Sequence, residues 1–178
     1  MPKCKICKEP FVKIRPIQPT CKSYDCMVAF AKNVAEKAIV KKKKAQTKVL
    51  KEKLKTLTDY ENEAKKEFQK YIRKRDENLP CVSCGTFQTD IWDGGHFKKA
   101  ELYSGVIFDE MNCHRQCRKC NRFLGGNELN YREGLVKRYG IDYVLEIEER
   151  ALRLKRHKYN KEDLIGLKNL YKEKIKHL

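Results

Sequence analysis

Apolar positions follow a helical rhythm at both ends of the chain and lose it in the middle. After Asp25, Met27, Phe30/Ala31, Val34 and Ala38 recur at about 3.6 residues, which predicts a helix with Asp25 as its cap. Lysine dominates Lys32–Lys55, and apolar spacing recovers at Leu50, Leu54 and Leu57. Thr58 followed by Glu61 is a capping-box pattern, so a second helix is expected from near Asp59 to about Asn78, closed by Leu79-Pro80. From Cys81 to about Asn130 the chain is rich in Gly, Cys, His and Asn and lacks helical periodicity until Arg115. Three helical patterns follow: Glu128–Tyr139 closed by Gly140, Asp142–Lys155, and Lys161–Leu178 capped by Asn160. In the last, Leu164, Leu167, Tyr171, Ile175 and Leu178 form a stripe that reads as packing against the body of the domain. The expected fold is α+β and mostly helical. Its segments are an N-terminal knuckle (1–26), a basic helical region (27–79), a compact core (80–140) and C-terminal helices (141–178).

Charge adds a partner to this picture. Lys and Arg number 41 against 24 acids, a net +17 over 178 residues. Residues 1–80 hold 22 basic and 10 acidic side chains, and 81–178 hold 19 and 14. So uneven an excess points to a polyanion, because Lys/Arg contacts to phosphates release counterions. The run Lys41, Lys42, Lys43, Lys44 is either a solvated helix or a phosphate-binding segment. The start lacks a secretory h-region, and the longest apolar run, Met27 to Ala31, is far too short for a bilayer. A cytoplasmic protein with no membrane role is therefore expected.

Nine cysteines in a chain without an export signal favour metal thiolates over disulfides. Cys81-x-x-Cys84 and Cys117-x-x-Cys120 supply four ligands for a closed tetrahedral zinc site, which does no chemistry and instead holds a small unit together. Cys4, Cys7, Cys21 and Cys26 form a second candidate, with looser final spacing. Cys113 is left over and reads as a small apolar core residue. One or two structural zinc ions are thus expected.

Between the cysteine pairs lie Asp93, Gly94, Gly95 and His96, then Asn112; Asn121 comes directly after Cys120. Singly, each has an ordinary reading: a histidine capping a turn, a turn asparagine, a helix-face asparagine. Together and in register with two knuckles, they resemble the HNH (ββα-metal) endonucleases. The resemblance implies His96 as general base, Asn112 as the central asparagine and Asn121 as a metal ligand. Phosphodiester hydrolysis needs a base near neutral pH, which suits imidazole, and a hard cation such as Mg²⁺ or Mn²⁺ at the phosphate. The family's usual ligand position before the base histidine is Gly95 here. Asp93 is the nearest acid, and the glycine pair permits the bend that would bring it to the metal.

The longer string FQKYIRKRD, LPCVSCG, WDGGHF and NCHRQCRKCNRFLGGNELNYREGL, followed by RYG, is similar to the phage lambda NinG/Rap recombination family over about Cys4 to Gly140. That resemblance implies a structure-specific endonuclease of phage recombination. It would cut branched DNA, D-loops and Holliday junctions, in the host cytoplasm, with residues 80–140 as the nuclease core. Arg115, Arg122 and Arg132 are candidate DNA contacts beside Lys41–Lys44. Asn127 is expected to cap the helix from Glu128. A homodimer would suit a symmetric junction. The competing readings are a non-catalytic zinc DNA-binding module and an RNA-binding or RNA-cleaving zinc protein.

Overall fold

A computed structural model describes residues 1–178. The chain divides into two compact units, Met1–Lys55 and Thr56–Leu178, so the division falls inside the predicted 27–79 segment.

In the first unit, residues 1–23 make a short knuckle. Cys4 N–H donates to the Glu9 carbonyl at 2.8 Å, and Lys5 N–H donates to Pro19 at 3.0 Å. Helix α1 (Tyr24–Lys53) then runs 30 residues, about 45 Å at helical rise. Its N-cap position is Ser23, which makes no side-chain cap bond; Asp25 lies in the first turn instead. There its charge still suits the positive end of the helix dipole. Only Cys26 on α1 is buried, and Lys41–Lys44 are exposed. Ala and Lys are strong helix formers, which supports a helix with so little packing.

The second unit is built on α2 (Leu57–Arg75). The helix starts earlier than expected because Thr56 and Asp59 form the capping box, displacing the Thr58/Glu61 pair two residues upstream. It also ends at Asp76, before Leu79-Pro80. Two strands follow, β1 (Trp92–His96) and β2 (Cys113–Cys117), paired antiparallel with Asp93 opposite Gln116 and His96 opposite Cys113. A 3₁₀ turn at Ser104–Val106 lies between them. After β2, a single π-helical turn, Lys119–Phe123, carries Cys120 and Asn121. Helices α3 (Glu128–Tyr139), α4 (Ile141–Arg153) and α5 (Lys161–Lys176) complete the chain. Gly140, at φ +90°, ends α3 and opens α4 in a conformation that L side chains rarely adopt.

Two apolar clusters flank the strands. Tyr60, Ala64, Phe68, Tyr71 and Ile72 form one face of α2 and pack with Ile107, Phe108, Cys113, Leu164 and Tyr171. The α5 stripe packs on this cluster as its spacing implied, with Leu164 and Tyr171 buried and Leu167 and Ile175 partly so, but Leu178 lies past the helix and is exposed. Cys113 is fully buried among apolar neighbours. Val82 and Phe97 pack with Tyr131 and Leu135 of α3 and Val144 and Ile147 of α4. Polar stitching joins these layers. Tyr131 Oη accepts from His114 N–H at 2.9 Å and donates to the Gly95 carbonyl at 2.7 Å, tying α3 to both strands. At the end of α2, buried Asp76 accepts from Arg75 (2.6 Å) and from Arg115 N–H (3.0 Å). Burial alone would raise the Asp76 carboxyl, but His114, Arg75 and the Arg115 amide hold it well below the usual carboxylate range.

Candidate metal and catalytic site

The two cysteine tetrads come together as their spacing predicts. Within each set, Cys4/Cys7/Cys21/Cys26 and Cys81/Cys84/Cys117/Cys120, the sulfurs all lie within 4.8 Å of one another. Four thiolates about 2.3 Å from one zinc would stand about 3.8 Å apart. Cys7 and Cys21 are 4.0 Å apart, and Cys84 and Cys117 are 3.7 Å apart. Each tetrad could hold one zinc ion. The second is formed from the turn at 81–84, the end of β2 and the π turn, with Trp92 packed against it.

Beside this tetrad a cavity of about 240 Å³ is lined by His96, Lys99, Glu101, Asn121, Gly126 and Glu128, among others. His96 ends β1 and lies on Phe68 of α2, ring centroids 6.1 Å apart. Its Nε2 is 2.8 Å from the Ile107 carbonyl oxygen. A carbonyl only accepts, so Nε2 carries the hydrogen and Nδ1 keeps the lone pair. Burial lowers the His96 pKa below its ordinary value, partly opposed by the bond to Ile107. A neutral imidazole with a free Nδ1 can accept a proton.

Asn112 does not line this cavity. It is fully buried, and its Oδ1 accepts from Lys98 N–H at 2.7 Å. Its Nδ2 donates to the carbonyls of Lys98 (3.0 Å) and Val106 (3.1 Å). These bonds clamp the segment after His96 to the loop whose Ile107 carbonyl orients the ring. Asn112 thus joins the segment after His96 to the loop behind the ring, away from the cavity.

Asp93 and Asn121 are brought together across the end of the ladder. Asn121 Nδ2 donates to Asp93 Oδ2 at 3.2 Å. Arg118 and Arg122 stand 3.6 and 3.5 Å from the same carboxylate, at ion-pair distance. Asp93 thus offers an oxygen-rich point beside two guanidinium groups.

Other predicted residues are placed differently. The Arg115 guanidinium lies 3.6 Å over the Trp92 ring and donates to the Asp76, Glu77 and Leu79 carbonyls past the end of α2. Those contacts occupy it inside the fold, where its residue type had suggested a phosphate contact. Arg132 pairs with Glu148 at 3.4 Å. Asn127 stands at the N-cap position of α3 in a left-handed conformation (φ +48°) and makes no cap bond. Its amide instead approaches Cys120 Sγ at 3.5 Å, so it serves the tetrad.

Three residues near the site escaped the sequence reading: Glu101, Glu128 and Gln116. The carboxylates at the cavity carry no motif. Gln116 had one signal, because a glycine within a strand marks a close approach by something else. At Gly95 an added Cβ would lie 2.1 Å from Gln116 Oε1.

A family model described as Bacteriophage Lambda NinG protein matches residues 1–178. Protein ninG of Escherichia phage 933W is 34% identical over 189 residues, covering 99% of this chain and 92% of that one. Protein ninG of Salmonella phage P22 is 38% identical over 131 residues, covering 74% of this chain and 63% of the relative. That of Escherichia phage lambda is 36% identical over the same length, with the same coverage. No solved structure matches.

Proposed function

This chain belongs to the bacteriophage lambda NinG protein family, and from that premise we propose that it is a metal-dependent endonuclease of the HNH type acting on branched DNA. The observation that carries the reading is the state of His96: a partly enclosed, neutral imidazole with Nε2 fixed on the Ile107 carbonyl and Nδ1 free beside a polar cavity. A two-stranded ladder followed by a short helical turn, stapled by a cysteine tetrad, is the frame expected of that class.

A hard divalent cation fits the donor chemistry here. Asp93 and Asn121 offer carboxylate and amide oxygens from two elements already in contact. These residues would hold Mg²⁺ or Mn²⁺, and such an ion stabilises charge on the phosphate and the leaving oxygen. His96 Nδ1 accepts the proton of the attacking water, and the bond from Nε2 to Ile107 keeps the ring aimed while it becomes cationic. Asn112 prevents the supporting loop from drifting. Arg118 and Arg122, drawn to Asp93 here, are within reach of a phosphate that approaches the same point. The exposed lysines of α1 add affinity that does not depend on sequence.

The test compares wild type and His96→Ala on labelled linear duplex, four-way junction and D-loop DNA, with and without Mg²⁺. Wild type should cut the branched forms only with metal. His96→Ala should lose about 10²–10⁴-fold in turnover while keeping DNA binding and zinc content. Full activity in the variant would sink the assignment. DNA binding without metal-dependent cleavage in wild type would favour a non-catalytic zinc module.

A further inference from the structure

Resting on the cation site just proposed at Asp93 and Asn121, we propose that the side-chain oxygen of Gln116 is a third ligand, filling the place that Gly95 leaves vacant. Directly opposed residues of an antiparallel ladder point to the same face, so Gln116 shares a face with Asp93. Two-residue alternation puts Gly95 on that face as well. A side chain at position 95 has no room there, because its Cβ would fall 2.1 Å from Gln116 Oε1. The amide oxygen occupies the volume into which a ligand on residue 95 would grow.

The orientation of that amide is fixed. Gln116 Nε2 donates to Ser83 Oγ and to the Gly126 carbonyl, each at 2.7 Å. Since the Gly126 carbonyl can only accept, the nitrogen must face it and the oxygen must face the other way. Ser83 lies within the Cys81–Cys84 turn and Gly126 follows Cys120, so the tetrad braces both anchors. Gln116 is fully buried, and Oε1 receives no hydrogen bond. A buried acceptor without a partner is costly and rare, and one directly opposite Asp93 on the same face of the ladder is suited to a cation held there.

The remaining donors agree. Asn121 uses Nδ2 on Asp93, which leaves its own Oδ1 for a ligand. Asp93 accepts no other hydrogen bond; Arg118 and Arg122 approach it at ion-pair distance only, and Arg122 is largely exposed and free to turn away. One carboxylate and two amide oxygens suit Mg²⁺ or Mn²⁺, which keep waters in their remaining positions.

The experiment titrates the zinc-replete protein with Mn²⁺ without DNA, reading free Mn²⁺ by electron paramagnetic resonance. Gln116→Ala should bind Mn²⁺ at least about ten-fold more weakly than wild type, since even indirect partners of a metal cost that much. The double variant Gly95→Asp/Gln116→Ala should recover affinity, because the aspartate grows into the vacated volume. Mn²⁺ affinity in Gln116→Ala equal to that of wild type overturns the proposal. Should Gln116→Ala lose zinc and helical signal, wild type alone decides. Mg²⁺ should then shift the Gln116 side-chain amide resonance in the nuclear magnetic resonance spectrum, and an unmoved resonance overturns the assignment. The two readings separate cleanly. Weakened Mn²⁺ binding in the variant, with no DNA cut by wild type, keeps the ligand and removes the nuclease. Metal-dependent cutting by wild type, with unweakened Mn²⁺ binding in the variant, does the reverse.

Discussion

At His96 the bond from Nε2 to the Ile107 carbonyl leaves Nδ1 as the nitrogen that can take a proton, and burial lowers the pKa of that nitrogen. The base form is the deprotonated one, so a lowered pKa extends activity toward acid. The acid limb of kcat/KM against pH, measured at saturating Mg²⁺, should therefore bend below the ordinary imidazole value of about 6.5. A bend above it would contradict His96 as the base. Asn112 acts one step back. Asn112→Ala removes three hydrogen bonds and strands their partners in a buried loop, which should cost about 2–4 kcal/mol in urea unfolding and lower turnover with it. Unchanged stability would mean that the loop is held by something else. The motif singled out His96, Asn112, Asp93 and Asn121 for the candidate site, but it did not reveal how differently the fold sets them. Asn112 reads as catalytic in the motif and sits in the fold as a clamp. Arg115 reads as a phosphate contact because side-chain type says nothing about which carbonyls lie nearby. Gln116 was illegible because its role depends on a cross-strand register and on the missing side chain of another residue.

Among the elements, long periodic helices were the most readable. Helix α3 begins and ends where the pattern placed it, and α5 starts at the Asn160 cap, whose side chain accepts from Asp163 N–H at 2.8 Å. The start of α2 was displaced because two capping-box patterns overlap within six residues, and tertiary context chose Thr56/Asp59. The strands were the least readable. Trp92–His96 contains two glycines, and Cys113–Cys117 holds no aliphatic residue, so neither shows the alternation that marks a half-buried strand. Their pairing leans on cysteine instead: Cys117 ends β2 and contributes to the tetrad. Cys117→Ser should therefore lower zinc content and helical or strand signal together, as seen by metal analysis and circular dichroism. A folded, zinc-replete variant would show that the two cysteine pairs do not share one ion.

For the whole molecule, charge and topology act separately. The net +17 is concentrated toward the N-terminal half, where Lys41–Lys44 are exposed on α1. Four consecutive residues point around all sides of a helix and cannot form one readout surface. Replacing all four with glutamine should weaken binding to every DNA shape alike and flatten log affinity against log salt by about 3–4 units, at about 0.9 per phosphate contact. An unchanged slope and affinity would leave the segment as a solvated spacer. Topology works over a longer range. Tyr71 on α2 and Tyr171 on α5 pack with ring centroids 5.3 Å apart, and Phe68, which backs the His96 ring, lies 4.8 Å from the same tyrosine. On the ribosome, the apolar face of α2 is made about a hundred residues before the α5 part of its cover. At about 5–20 residues per second it waits about 5–20 s, a period in which it is open to chaperones and to aggregation. Through that interval the packing beneath His96 is unfinished, because Phe68 still lacks Tyr171 against its other side. The helix that closes this packing is the last to leave the ribosome, so the support behind the His96 ring is completed only when the whole chain has been made.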